Sequence, residues 1–324
     1  MKHWTGWWLI LLLLPVPTVA RTVPGPLVEA DWLAANRDKV VVLDVRVNPR
    51  SFRQPPRFVK DRKSGKRVLV QANGRIPDAL WIDYGKIRGS RLVNGRKVEM
   101  MILDKAAFEK IMRSFGVPKG KPLVITSRGQ HNGDMTMATR LYWQLKYYGV
   151  DDMAILNGGL AAWIAAGNEV ETSMPRATKG DWVATAERKE IFASSADVAR
   201  AVKGGSAQLV DNRPLPQYLG VYRKSYVYAE GHIPGARIYS NDIMTRPRLP
   251  AKFLPVADLK QLARGLGLDP GKPTITYCNS GHLASGGWFI WHELFGNEQT
   301  KLYDGSMHEW TLEKRPTRKY ELEK

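Results

Sequence analysis

Short apolar runs alternate with amphipathic stretches along the chain, and the alternation occurs twice. A β-branched run from Val41 to Val45 contains Asp44 and closes on Arg46, and a second run, Leu209–Val210, leads into Asp211 and Arg213. Leu123–Thr126 and Thr274–Tyr277 have the length and apolar character of strands buried on both faces. Each is followed by a glycine-containing loop, and then by a pattern that predicts a helix, over Met135–Tyr148 in one case and Ser285–Phe295, stopped by Gly296, in the other. Strands that alternate with helices imply an α/β fold, an open parallel sheet with helices on both faces. Such sheets bind ligands beyond the carboxyl ends of their strands, which is where Ser127 and Cys278 fall.

The two halves match in order. Val41–Arg46 matches Leu209–Arg213, Gly74–Ala79 matches Gly231–Ala236, Pro122–Ser127 matches Pro273–Cys278, and Asn157–Gly159 with Trp163 matches Asp304–Ser306 with Trp310. Ordered matches at similar spacing mark a duplication. The expected division is a leader over residues 1–20, an N-terminal domain over 21–175 and a C-terminal domain over 176–324. A feature present in both halves is structural by this logic, and one present in a single half is a candidate for chemistry. Asp44 with Arg46, and Asp211 with Arg213, belong to the first kind and are expected as partly buried ion pairs. Cys278 belongs to the second.

Composition narrows the setting. Of 324 residues 44% are hydrophobic, enough for a sizeable core. Lys2, an apolar run from Trp7 to Leu14, and small residues up to Ala20 read as an export signal. The run is too short to span a bilayer, which takes about 20 apolar residues, so the expectation is a periplasmic or secreted protein with no stable membrane insertion once the signal is removed. A single cysteine excludes an internal disulfide. The formal charge of +18 favours anionic ligands. Between Arg46 and Arg67 lie nine basic residues and one acidic residue, Asp61, with Pro49, Pro55 and Pro56, which reads as an exposed loop. The export signal argues against a nucleic-acid partner for that basic stretch.

The segment Cys278, Asn279, Ser280, Gly281, His282, Leu283 places a thiol at a strand end, in a loop of small residues running into a helix. Loop N–H groups and a helix N-terminus both favour an anion there, and His282 is a candidate second donor. On the run Val210–Arg213, the run Gly231–Ala236, the Cys278 loop, and Asp304–Ser306 before Trp310, the chain resembles the tandem rhodanese family of thiosulfate and 3-mercaptopyruvate sulfurtransferases over nearly its whole length.

That resemblance implies two homologous rhodanese-like domains and a double displacement. Cys278 takes the sulfane sulfur of a small anionic donor as a persulfide and passes it to a thiol or cyanide acceptor, which includes a thioredoxin-like protein, with no metal and no organic cofactor. With Ser127 in the matching place, the N-terminal copy is expected to be inactive. The family's donor-gripping arginine falls at Gln217 here, so Arg223, Lys224 and Arg75 are the expected substitutes, Arg75 from the interdomain cleft. A thiol phosphatase on this fold needs an arginine six residues after the cysteine, where this chain has Ala284. The surviving alternative is a sulfur-relay or anion-binding periplasmic protein without turnover on small molecules.

Overall fold

The computed structural model describes residues 21–176 and 178–320. The expected leader lies outside the described residues. Ten of the described strands form two all-parallel sheets of five, ordered Leu27–Val28, Met153–Leu156, Leu123–Thr126, Val41–Arg46, Leu80–Asp83 in the first half. In the second half the order is Phe192–Ala193, Thr300–Tyr303, Thr274–Tyr277, Gln208–Asp211, Arg237–Ile238. The central strands are buried at every position, as a sheet covered on both faces requires.

One face of each sheet has its own apolar cluster, with Leu33, Val42, Leu156 and Trp163 in the first domain and Val198, Leu209, Tyr277 and Trp310 in the second. The other two faces share a single core that runs across the domain boundary, from Met135, Leu141 and Trp143 to Ala284, Trp288 and Phe289. Helix Asn132–Tyr147, which follows Ser127, packs there against helix His282–Trp288, which follows Cys278. Their approach is close because the second helix is small where they meet. A Cβ on Gly286 would lie 2.8 Å from Thr136 Cγ2, and Ser285 Oγ hydrogen-bonds Thr139 Oγ1 at 2.8 Å. Beyond Trp288 the helix widens into a π-helical turn over Phe289–Leu294, with Phe289 edge-on to Tyr142 at 5.0 Å.

Two segments gain detail from the structure. The basic stretch, expected as an exposed loop, is largely exposed and its second half forms an antiparallel hairpin, Arg57–Lys60 with Arg67–Gln71, in which Arg67 lies over the Phe58 ring at 4.1 Å. After residue 175 the chain stays on the N-terminal domain. Trp182 packs edge-on to Phe108 at 5.4 Å, and Arg188 pairs with Asp151 before the second sheet begins.

Candidate active site

Strand Thr274–Tyr277 delivers Cys278 to the carboxyl edge of the second sheet, and Gly281, at φ +72°, turns the chain into helix His282–Trp288. A side chain at Gly281 has no room, since a Cβ would sit 2.3 Å from Asp304 Oδ1. Cys278 is a free thiol with 1% exposure.

Ser306 organises this loop. Its Oγ accepts the N–H groups of Cys278 at 3.0 Å and Gly281 at 3.2 Å, and donates to Tyr303 O at 2.8 Å. The loop carbonyls are fixed by the same element, with Met307 N–H donating to Cys278 O and His308 N–H to Asn279 O, both at 3.0 Å. Ser306 adopts φ +52°, a left-handed conformation that costs a non-glycine residue on the order of 1–3 kcal/mol.

The N-terminal domain braces the loop from the other side. Arg140, on helix Asn132–Tyr147, forms a fully buried ion pair with Asp304 and donates to Gly281 O at 3.3 Å. The second Asp304 oxygen accepts the N–H of Ile102 at 2.7 Å. Neither Arg140 nor Ile102 stood out in the sequence, because both act across the interface.

The residues singled out in the sequence receive distinct settings. Asp211 and Arg213 form a buried pair at 2.6 Å, with Arg213 also donating to Gly231 O at 2.8 Å. Asp44 and Arg46 repeat it in the first domain, with Gly74 O in the place of Gly231 O. Gln217 is buried and ties the loop down, its Oε1 accepting from Asn279 Nδ2 at 2.8 Å and its Nε2 donating to Tyr222 Oη at 3.1 Å. Ser280 is buried in the same loop, whereas Leu283 is half-buried and packs on the shared core.

The groups expected to meet the donor's charge, and His282, take these places. Arg75 is not in the interdomain cleft; it is ion-paired with Glu171 and bonded to Ser173, because its backbone bridges that segment of its own domain. Arg223 and Lys224 are exposed, and Arg223 is turned onto Val227 O. His282, expected as a second donor, is half-buried beside the loop. Burial, reinforced by Arg88 and Arg140, pushes its pKa down to about 3, and its Nε2 lies 3.0 Å from Thr136 Oγ1.

Around the loop the fold gathers groups that the sequence did not announce. Tyr84 places its ring 4.9 Å from that of His282, and Arg88 lies over Tyr84 at 4.2 Å. Tyr226 is held above its ordinary pKa by burial, opposed by a hydrogen bond to Ser280. A cavity of about 860 Å³, lined by Arg37, Val41, Pro77 and Trp163, opens at the amino ends of the first sheet, away from this chemistry.

Fold and site together define a two-domain α/β protein that presents one thiol on an amide loop closed by a serine, in only one of two matching places. The rhodanese-like domain model matches residues 29–166 and again 194–313, and the chain belongs to that family. Among its relatives are the sulfur carrier protein TtuD of Thermus thermophilus, 27% identical over 89% of this chain and 94% of that protein, and the 3-mercaptopyruvate sulfurtransferase of Escherichia coli K12, 28% identical over 87% and 94%. A putative thiosulfate sulfurtransferase of Haloferax volcanii is 31% identical over 64% and 72%. The crystal structure of SseA, a 3-mercaptopyruvate sulfurtransferase of Escherichia coli, superposes with a TM-score of 0.68 at 26% identity, covering 87% of this chain and 98% of that one. EanB in complex with hercynine shares the fold, with a TM-score of 0.75 at 18% identity over 91% and 69%.

Proposed function

We propose that the protein is a sulfurtransferase that moves sulfane sulfur from thiosulfate or a related small anion through a Cys278 persulfide to a thiol or cyanide. The observation that carries this reading is the Cys278 loop, whose amides converge on Ser306 Oγ and whose thiol is the only one in the chain. In the first half-reaction the Cys278 thiolate attacks the outer sulfur of thiosulfate, a new S–S bond forms, the old one breaks, and sulfite leaves with its electron pair. In the second, an acceptor thiolate attacks the outer persulfide sulfur and regenerates Cys278. The loop dipoles and the helix end favour the negative charge that sulfur carries in both steps. Asp211 with Arg213 is structural in this reading, and Ser127 leaves the first copy inactive. Export to the periplasm or outside the cell follows from the leader; among the described residues no helix is long and apolar enough to cross a membrane.

Mass spectrometry after brief exposure to thiosulfate or 3-mercaptopyruvate tests the proposal. One added sulfur atom on the Cys278 peptide supports it and identifies the donor; an unmodified peptide with both donors removes it. The likeness to TtuD favours a second reading, a carrier that hands its persulfide only to a protein thiol. Steady-state thiocyanate formation from thiosulfate and cyanide separates the two.

A further inference from the structure

The N-terminal domain reaches the thiol loop through the hairpin of strands Arg88–Val93 and Arg96–Ile102, whose far end is tied to the C-terminal domain by Asn94 Nδ2 donating to Glu313 at 2.9 Å. Arg88 opens the hairpin and pairs across it with Ile102. Residues so paired have Cα atoms about 4.5–5.5 Å apart. Because Ile102 N–H is bonded to Asp304, Arg88 is fixed one strand away from the carboxylate that braces the Cys278 loop.

Its surroundings are unusual for an arginine. Arg46, Arg140 and Arg213 are each charge-neutralised by an aspartate, although Arg140 Nε and Nη2 are, like Arg88 Nε, buried without a hydrogen-bond partner; what sets Arg88 apart is the missing carboxylate. Among the described residues Arg88 makes no ion pair, and its Nε is buried with no hydrogen-bond partner. The guanidinium rests on Tyr84, whose own hydroxyl is also buried and unpartnered. Arg88 and the Cys278 thiol both act electrostatically on the same two phenols, Tyr84 and Tyr226. A buried donor left unmet is destabilising, and an anion entering the site removes that penalty. The other candidate cations are engaged or turned outward, Arg75 by Glu171 and Arg223 by Val227 O, and Gln217 brings no charge.

We propose that Arg88, with the Tyr84 hydroxyl beside it, binds the anionic head of the sulfur donor, so that the donor site is completed across the domain interface by the half that carries no thiol. This rests on the sulfurtransferase reading but is tested separately from it.

In the full chain carrying Cys278→Ser, thiosulfate binding is followed by tryptophan fluorescence with Arg88, Arg88→Lys or Arg88→Met. Arg88→Met is expected to weaken binding roughly ten- to a hundredfold. Arg88→Lys retains part of the affinity, since it keeps the charge and loses the fork, and Tyr84→Phe, which removes only a hydroxyl, gives a smaller loss. In the Cys278 protein, Arg88→Met slows persulfide loading by thiosulfate to the same degree, while transfer from a preloaded persulfide to 2-mercaptoethanol is unchanged. Equal thiosulfate affinity with Arg88 and with Met, or no saturable binding to the Arg88 protein, overturns the proposal. Binding that depends on Arg88 in a protein whose Cys278 never gains sulfur leaves the site standing and strikes the sulfurtransferase reading instead.

Discussion

The two domains carry the same frame to opposite ends. In each, the strand that leads into Ser127 or Cys278 is followed by a loop whose carbonyls accept from the helix that follows the neighbouring strand, Gly159–Ala165 or Ser306–Leu312: Leu160 N–H to Ser127 O at 2.8 Å and Ala161 N–H to Arg128 O at 3.0 Å, against Met307 to Cys278 and His308 to Asn279, both at 3.0 Å. Ser306 therefore stands where the first domain has Gly159, and the backbone is the same, φ +52° and +56°. Glycine adopts that conformation freely and serine does not. The second domain keeps a strained residue because its hydroxyl is what gathers the Cys278 and Gly281 amides. In the first domain the loop closes on backbone instead. A Cβ on Gly129 would fall 1.9 Å from Gly158 O, and Arg128 spends its guanidinium on Ala72 O, Asn73 and Gln130. The comparison teaches that a thiol at a strand end is only half of what separates the copies; the other half is a serine in a position shaped for glycine.

Breaking the asymmetry at its centre has the largest expected effect. Cys278→Ser abolishes sulfur transfer, because oxygen forms no persulfide, while the melting temperature stays near wild type, as Ser127 in the matching loop implies; persulfide mass and calorimetry read the two halves of that statement. Next come the buried ion pairs. Removing one partner of such a pair costs about 3–5 kcal/mol, so Asp211→Ala and Asp44→Ala are expected to lower denaturant stability by similar amounts, although only one domain carries the thiol. If Asp211→Ala instead lost activity with an undisturbed unfolding midpoint, the pair would belong to the chemistry. Arg140→Met falls in the same range and adds a loss of activity per folded molecule, since it also frees Gly281 O.

Ser306→Ala keeps the strained backbone and leaves two loop amides unmet, for a destabilisation of about 1–3 kcal/mol and slower persulfide formation. Ser306→Gly, which copies the first domain, recovers part of the stability and none of the rate. The smallest effect is a slope. His282 has a folded pKa near 3 against an ordinary value of 6.5, so its contribution is fully present above pH 6.5 and is lost as pH falls toward 3, where the unfolded chain binds the proton first. The slope for one such proton is at most about 1.4 kcal/mol per pH unit. Urea titrations between pH 6.5 and 5 should show a shallower slope in His282→Gln.

The sequence by itself determined the duplication, the two central strands, which run over Leu123–Thr126 and Thr274–Tyr277 as the apolar runs indicate, the repeated aspartate–arginine pairs, and the seat of the only thiol at a sheet edge. These signals are local: strand periodicity, a two-residue ion pair, a turn glycine, and a second copy that shows which of them recur. Tertiary structure alone decided what faces Cys278. Arg140 and Asp304 meet across 164 residues of chain, Tyr84 and Arg88 arrive from the other domain, and Arg75 and His282 are drawn to Glu171 and Thr136. The physical reason is that a side chain's charge and reach are written in its type, whereas its partner is chosen by which surfaces the two domains bury against each other.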